Sequence, residues 1–246
     1  MADQYDAIGG RYEEVKRLPV GLAEQTTLMS ALPTLTGKSV LDVGSGSGFY
    51  PRLFRNAGAR RVAGVDSSSE MVAYAQRVEE RDPLGISYEL YDAVRLPKMG
   101  SFDVVTAVWL LGYAAGETAL DEMLAGLAAN LAAGGTLVVL FPNPDVDREV
   151  LARYSPYGMT TVRTGESEGR ESWQVRVLVD PPFEFETFIW PPGVVEAALE
   201  RGRFVGVQRH PVAVPAEAVA ERGEEFWADL LASPTFAVYS ATLGAP

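Results

Sequence analysis

The chain has 246 residues, with 33 Asp and Glu against 21 Lys and Arg for a net charge of −12, one histidine and no cysteine. That length predicts one compact domain, residues 1–246, whose core needs no disulfides, and the cysteine-free composition fits a reducing compartment. The acidic balance disfavours DNA or RNA as substrate, and a start with no basic stretch before an apolar block, plus no apolar run of membrane-spanning length, predicts a soluble, unexported, cytoplasmic protein with no membrane partner.

Residues 1–36 read as an N-terminal helical segment, with Tyr5, Ile8, Tyr12 and Val15 at three- and four-residue spacing and Gly9-Gly10 as an interruption. Arg11, Lys16 and Arg17 read as a solvated basic face. From Gly37 the pattern alternates: strand 39–43, helix 48–57, strand 61–65, helix 68–80, strand 86–90 and a loop, strand 102–108, helix 117–132 stopped by Gly134-Gly135, and strand 135–141. Such alternation with short connections predicts a mostly parallel sheet covered by helices on both faces. Ser67 to Ser69 supply an N-cap for the second of these helices.

Pro142-Asn143-Pro144 breaks the pattern and opens an insertion, residues 144–192. Within it, 173–179 and 184–190 are β-favouring runs separated by Asp180-Pro181-Pro182-Phe183, which predicts a small two-stranded hairpin over the substrate. Residues 193–246 return to the core plan with helix 193–201, strand 204–208 and strand 235–243, while Glu217 to Glu225 reads as a polar helix surface.

The chemistry is concentrated at Val40-Leu41-Asp42-Val43-Gly44-Ser45-Gly46-Ser47-Gly48-Phe49-Tyr50. A buried strand that ends in glycines at every second position makes a turn whose backbone can approach a ligand closely. Asp66, at the tip of the second strand, is placed to accept hydrogen bonds from ribose hydroxyls, and Asp92 follows the third strand. Successive strand ends of an open parallel sheet form one crevice, so Asp42, Asp66 and Asp92 converge there. A nicotinamide reader needs a G-x-G-x-x-G turn, and here the third glycine, Gly48, comes one position early.

These motifs, with Gly64-Val65-Asp66, Asp92-Ala93, Phe102-Asp103-Val104-Val105 and Leu131-Ala132-Ala133-Gly134-Gly135-Thr136-Leu137, resemble in order the set of class I S-adenosylmethionine (SAM)-dependent methyltransferases over residues 37–143. The resemblance implies a Rossmann-like α/β fold with a seven-stranded sheet whose last strand is antiparallel between its two predecessors. Tyr5-Asp6-Ala7-Ile8, Gly48-Phe49-Tyr50, Tyr157-Gly158, Arg209-His210-Pro211 and Glu225-Phe226-Trp227-Ala228-Asp229 are similar, over shorter stretches, to methyltransferases of the toxoflavin-pathway type, which act on nitrogen of a heteroaromatic product.

The resemblance assigns SAM as cofactor, with S-adenosylhomocysteine as its product. Gly44, Ser45, Gly46 and Tyr50 fall beside the methionine part, Asp66 at the ribose, Ser67 and Met71 beside ribose and base, and Asp92 with Ala93 at the adenine edge. Asp42 organises the turn or the cofactor ammonium. Val108, Trp109 and Tyr113 follow the fourth strand, where cofactor and acceptor meet. The N-terminal segment becomes a lid, so Tyr5 and Tyr12 are either cofactor contacts or packing residues, and one nearby cation pairs with the cofactor carboxylate.

Tyr50, Tyr157, Phe185, Trp190, Phe226 and Trp227 supply aromatic walls suited to a flat acceptor. His210 is either a general base or substrate partner, or a surface histidine at a strand end. One histidine and no cysteine leave few metal ligands beyond carboxylates, so no metal is expected. The reading is methyl transfer to nitrogen of a small aromatic or heteroaromatic metabolite in specialised metabolism. The alternatives are O-methylation of a small phenol with His210 as base, a nicotinamide-dependent oxidoreductase and a non-catalytic SAM-binding regulator. The oligomeric state is open.

Overall fold

The computed structural model describes residues 9–244. Seven strands form the main sheet: β1 (Ser39–Val43), β2 (Arg61–Asp66), β3 (Ile86–Leu90), β4 (Phe102–Val108), β5 (Leu131–Pro142), β9 (Phe204–His210) and β10 (Phe236–Leu243). Their order is β3-β2-β1-β4-β5-β10-β9, and β10 runs antiparallel to both its neighbours. This is the Rossmann-like order of class I methyltransferases, and the order reverses beside β1, where the crevice at the strand ends opens.

β1 is buried along its whole length, which explains why Ser39-Val40-Leu41-Asp42-Val43 reads as a continuous run and not an alternation. Period-2 geometry sends Val40, Val62, Val104, Val138 and Val238 to one face and Leu41, Ala63, Val105, Leu137 and Ala237 to the other. The first face is covered by α1 (Pro19–Ala31), α2 (Phe49–Asn56) and α3 (Ser69–Arg81), and the second by α4 (Gly116–Asn130) and α6 (Val194–Arg201). The short helices α5 (Arg148–Leu151), α7 (Ala216–Arg222) and α8 (Ala228–Ala232) pack around the first face's margin.

Several expectations are corrected. The N-terminal segment is not one helix: a 3₁₀ segment runs over Gly9–Arg17, and Leu18 is extended (ψ 158°) because Pro19 disfavours a helical residue before it, while the chain on the far side of Gly9 lies outside the described residues. Helix α4 stops at Asn130, and Gly134 (φ 70°) lies inside β5, where the register against β4 shifts, so Gly134-Gly135 shapes a strand and does not cap a helix. Ser68 is the N-cap of α3, accepting from Met71 N.

The insertion is a three-stranded antiparallel sheet, β6 (Met159–Ser167), β7 (Arg170–Val177) and β8 (Phe183–Ile189), where the sequence suggested two strands. The missed strand is an exposed edge, so it lacks the apolar signal of its neighbours. Its turn is Glu168-Gly169, both at positive φ (52° and 79°), the geometry that a two-residue hairpin loop requires.

Candidate functional site

The turn after β1 is built by glycine. Gly44, Gly46 and Gly48 all sit at positive φ (78°, 52° and 80°), where a side chain is strained. Gly44 N and Ser45 N donate to Val65 O at 2.8 and 2.9 Å, which locks the turn to the end of β2. Asp66 joins the two tips: Oδ2 accepts from Gly46 N at 2.7 Å and Oδ1 from Ser68 N at 2.9 Å. A Cβ added at Gly46 would meet nothing within 4 Å, so the turn presents bare backbone to open space.

That space is a cavity along the strand ends. Gly44, Ser45, Gly46 and Tyr50 line it from the first turn, and Asp66, Ser67 and Met71 from the second. Asp92 and Ala93 close it after β3, Val108 at the end of β4 and Trp109 just past it, and Tyr12 from the N-terminal segment. The structure thus brings together every predicted cofactor residue except Tyr5, which lies outside the described residues. Ser47, Phe49, Ser68, Tyr91, Leu110 and Met123 also line it without having been assigned to the cofactor, as does Lys16, one of the three cations of which one was expected to pair with the cofactor carboxylate. The side chain of Asp92 caps the 3₁₀ turn Ala93–Arg95 by accepting from Val94 N at 3.0 Å.

Asp42 lies beneath this floor, 1% exposed. Its Oδ1 accepts from Thr106 Oγ1 at 2.6 Å. Burial pushes its carboxyl up to about 7, the Thr106 bond opposes that, and the neighbouring Asp66 charge adds to it. Asp42 lines neither cavity, so it supports the turn from below.

Trp109 carries the clearest backbone anomaly. Its φ is 58°, a left-handed conformation that is costly for a bulky residue and concentrates at functional sites. Trp109 N donates to Leu140 O at 2.7 Å, which holds the chain in that conformation as it leaves β4.

A second cavity begins where the first ends, sharing Tyr12, Trp109 and Tyr113. The insertion forms its roof through Met159, Thr161, Trp173, Val175, Phe185, Thr187 and Ile189. Its walls are mostly apolar and aromatic, as suits a flat small molecule. Of the hydroxyls among them, Thr161 Oγ1 and Thr235 Oγ1 are buried with no hydrogen-bond partner.

The two cavities meet at a buried ion pair. Lys16 and Glu24 are 4% and 2% exposed, and Lys16 Nζ donates to Glu24 Oε1, which also accepts from Tyr50 OH. Lys16 lines the first cavity and Glu24 the second. This corrects the solvated reading of Lys16; helical spacing alone cannot distinguish a basic side chain folded inward from one on the surface. Tyr12 and Tyr50 are held well above the usual phenol range, first by burial and then by the Glu24 charge, so both are hydroxyl donors.

The remaining acceptor-side candidates divide. Trp109 and Tyr113 line both cavities, and Phe185 lines the second. Tyr157, Trp190 and Trp227 line neither: Tyr157 OH donates to Phe226 O at 2.7 Å, Trp190 Nε1 to Leu111 O at 2.8 Å and Trp227 Nε1 to Ala218 O at 3.3 Å, all within packed core. Aromatic composition alone could not separate these groups, since burying a ring against the sheet and lining a cavity call for the same residue types.

His210 is the last residue of β9, not a residue beyond it, and lines neither cavity. Its Nε2 lies 2.7 Å from Ser240 Oγ on β10, and burial lowers its pKa below the usual imidazole value.

The insertion is fastened to the loop that carries the shared aromatics. Arg170, 4% exposed, donates from Nη1 to Gly112 O at 2.8 Å, with its guanidinium 4.4 Å from the Phe188 ring centroid. Together with Trp190 to Leu111 O and Tyr113 OH to Glu186 O at 3.0 Å, this makes three hydrogen bonds between insertion and loop. On the opposite side, the 3₁₀ segment is held through Arg52 Nη2 to Glu13 Oε1 at 2.6 Å and the Tyr12–Phe185 edge contact at 6.3 Å.

Residues 40–135 match the family model Methyltransf_25, described as a methyltransferase domain. Over 121 residues the chain is 36% identical to ribosomal protein L11 methyltransferase of Burkholderia ambifaria, covering 48% of this chain and 37% of that one. The chain spans about half the length of the curated relatives it matches. Among solved structures it is similar to an S-adenosylmethionine dependent methyltransferase from Mesorhizobium loti, at 23% identity and a TM-score of 0.64 over 90% of this chain and 98% of that one. It is also similar to the CcbJ methyltransferase from Streptomyces caelestis, at 18% identity and 0.69 over 99% and 98%. Sheet order, glycine turn and family match agree: the chain has the class I fold of S-adenosylmethionine-dependent methyltransferases, and its residues 40–135 match a methyltransferase domain.

Proposed function

We propose that this protein transfers a methyl group from SAM to a nitrogen of a small aromatic or heteroaromatic metabolite, in cytoplasmic specialised metabolism of the toxoflavin-pathway kind. The observation that carries the reading is the meeting of two cavities at Tyr12, Trp109 and Tyr113, one bounded by the glycine turn and the strand-end acids Asp66 and Asp92, the other by apolar and aromatic side chains that come largely from the insertion. The residues of the first fit the cofactor. Asp66 has carboxylate oxygens for a ribose diol, Gly46 leaves bare backbone facing open space, and Ser45 Oγ is buried with no partner.

When bound, SAM supplies a methyl group already activated by a sulfonium. The protein's own task is then alignment and exclusion of water. Correct orientation of two reactants corresponds to roughly 7–11 kcal/mol of barrier, enough that a nitrogen lone pair needs no dedicated base. Trp109 and Tyr113 stand at the junction where that alignment is set. O-methylation through His210 has less support, because a base must lie within hydrogen-bond reach of the proton it removes and His210 lines neither cavity.

Calorimetric titration with S-adenosylhomocysteine and with NAD⁺, followed by assay of S-adenosylhomocysteine formation with aromatic amines, N-heterocycles and phenols, tests the reading. Saturable binding of the first ligand alone and turnover of nitrogen acceptors are expected. Binding of NAD⁺ in its place would overturn the cofactor, and turnover of phenols alone would overturn the acceptor atom.

A further inference from the structure

The buried Lys16–Glu24 pair lies where the two cavities meet, with its cation lining one and its anion lining the other. Glu24 is the one carboxylate among the described residues lining the acceptor cavity. Burying two charges is costly, and such pairs add little stability over apolar packing, so their retention points to a use. Each partner also has support of its own. Lys16 Nζ lies 4.8, 5.4 and 5.9 Å from the ring centroids of Tyr50, Tyr12 and Phe49, an aromatic enclosure that can hold an ammonium. Glu24 keeps the Tyr50 hydroxyl as a donor.

We propose that Glu24 is the acceptor-recognition residue, and that its pairing with Lys16 is exchanged on cofactor binding. The carboxylate of the cofactor's methionine part takes Lys16 as counter-ion, and Glu24, released from that pairing, accepts a hydrogen bond from an N–H of the acceptor. The acceptor class is thereby narrowed to flat heterocycles or aromatic amines that carry an N–H donor, and acceptor binding is coupled to prior cofactor binding. This rests on the methyltransferase reading above.

The probes are benzimidazole, which has a ring N–H, and 1-methylbenzimidazole, which has the same shape and no donor. Their affinities for the wild-type protein are measured by calorimetry or ligand-observed NMR, alone, with saturating S-adenosylhomocysteine, and with 5′-methylthioadenosine, which lacks the amino-acid carboxylate. S-adenosylhomocysteine is expected to raise benzimidazole affinity at least fivefold and to give at least a tenfold preference for it over the methylated analogue. Methylthioadenosine is expected to give neither. By linkage, benzimidazole raises S-adenosylhomocysteine affinity by the same factor.

Glu24→Gln, which keeps the side-chain shape and an oxygen for Tyr50, is expected to retain S-adenosylhomocysteine binding and to lose the preference between the two heterocycles. If that variant does not fold, the wild-type comparison decides. Equal affinity for the two heterocycles, no benzimidazole binding to the loaded protein, or equal coupling by methylthioadenosine would overturn the role of Glu24 and leave the methyltransferase reading standing. Failure of S-adenosylhomocysteine itself to bind would overturn both.

Discussion

The two cavities are built in opposite ways. The first is framed by backbone turns at the ends of adjacent strands: glycines at positive φ, amide N–H groups tied to Asp66, and a 3₁₀ turn capped by Asp92. The second is made of side chains brought in from α1, the loop after β4, the insertion and the approach to β10. A site made of backbone is fixed as soon as its strands pair, whereas a site made of side chains can change occupant by substitution. On the proposed function, the cofactor would be held by the part of the site that the fold itself fixes, while the choice of acceptor would rest with a handful of replaceable side chains.

Asp42, buried beneath the first cavity, gives the largest expected effect. Its folded-state pKa of about 7 lies above the ordinary carboxylate value, so its contribution to stability is full below about pH 4 and is lost as pH rises through 7. The loss amounts to on the order of 4 kcal/mol. Asp42→Asn preserves an acceptor for Thr106, so it should raise the melting temperature at pH 8 and have little effect at pH 4, measured by thermal unfolding at both values. A variant no more stable than wild type at pH 8 would remove the idea that the cofactor floor is held at a cost to stability.

Asp66→Ala comes next. It removes an acceptor for two backbone N–H groups as well as the diol partner, and S-adenosylhomocysteine affinity should fall about 100-fold, near 3 kcal/mol. An unchanged calorimetric Kd would mean that the acid only ties the turns together.

In the acceptor cavity the expected effects are smaller and of a different kind. Thr161→Val and Thr235→Val each replace an unpartnered buried hydroxyl by a methyl of equal size, so the melting temperature should hold or rise. The kcat/KM for acceptors with a polar group at that end should fall about tenfold, close to 1.4 kcal/mol, with cofactor affinity untouched. Loss of cofactor affinity in either variant would erase the division between the cavities.

Trp109 belongs to both. Since φ is 58° there, Trp109→Gly should be more stable than Trp109→Ala by about 1 kcal/mol in denaturant titration, although it is the smaller residue. The reverse order would show that the left-handed backbone relaxes once the ring is gone. Last, His210→Ala should leave kcat/KM within about twofold, because its ring contacts Ser240 and lines neither cavity.

The same contrast accounts for how much of the molecule was legible in the sequence. Glycine spacing, strand-end acids and the alternation of elements are local consequences of backbone geometry, so the expectation that Gly44, Gly46, Asp66 and Asp92 lie around one crevice could be read from the sequence. Glu24 escaped notice because its partners, Lys16 and Tyr50, lie 8 and 26 residues away and only packing joins them. Tyr157, Trp190 and Trp227 looked like acceptor walls for the opposite reason: an aromatic residue announces burial but not which side of a wall it occupies. Strand β6 was hidden by its exposure, and its one local sign, Glu168-Gly169, is a weaker turn signature than Asn-Gly or Asp-Gly.

The three hydrogen bonds from Arg170, Trp190 and Tyr113 end on the loop after β4 or on the insertion opposite it. Mechanically, this makes the insertion an outrigger braced against the hull at the point where the cofactor cavity turns into the acceptor cavity. On the proposed function, a replacement that thickens or thins the roof would bear through that brace on Tyr113, so substitutions at β7 and β8 would act on the alignment of the reactants as well as on which molecule fits. An engineer seeking a new acceptor would therefore keep Arg170 and vary the roof around it.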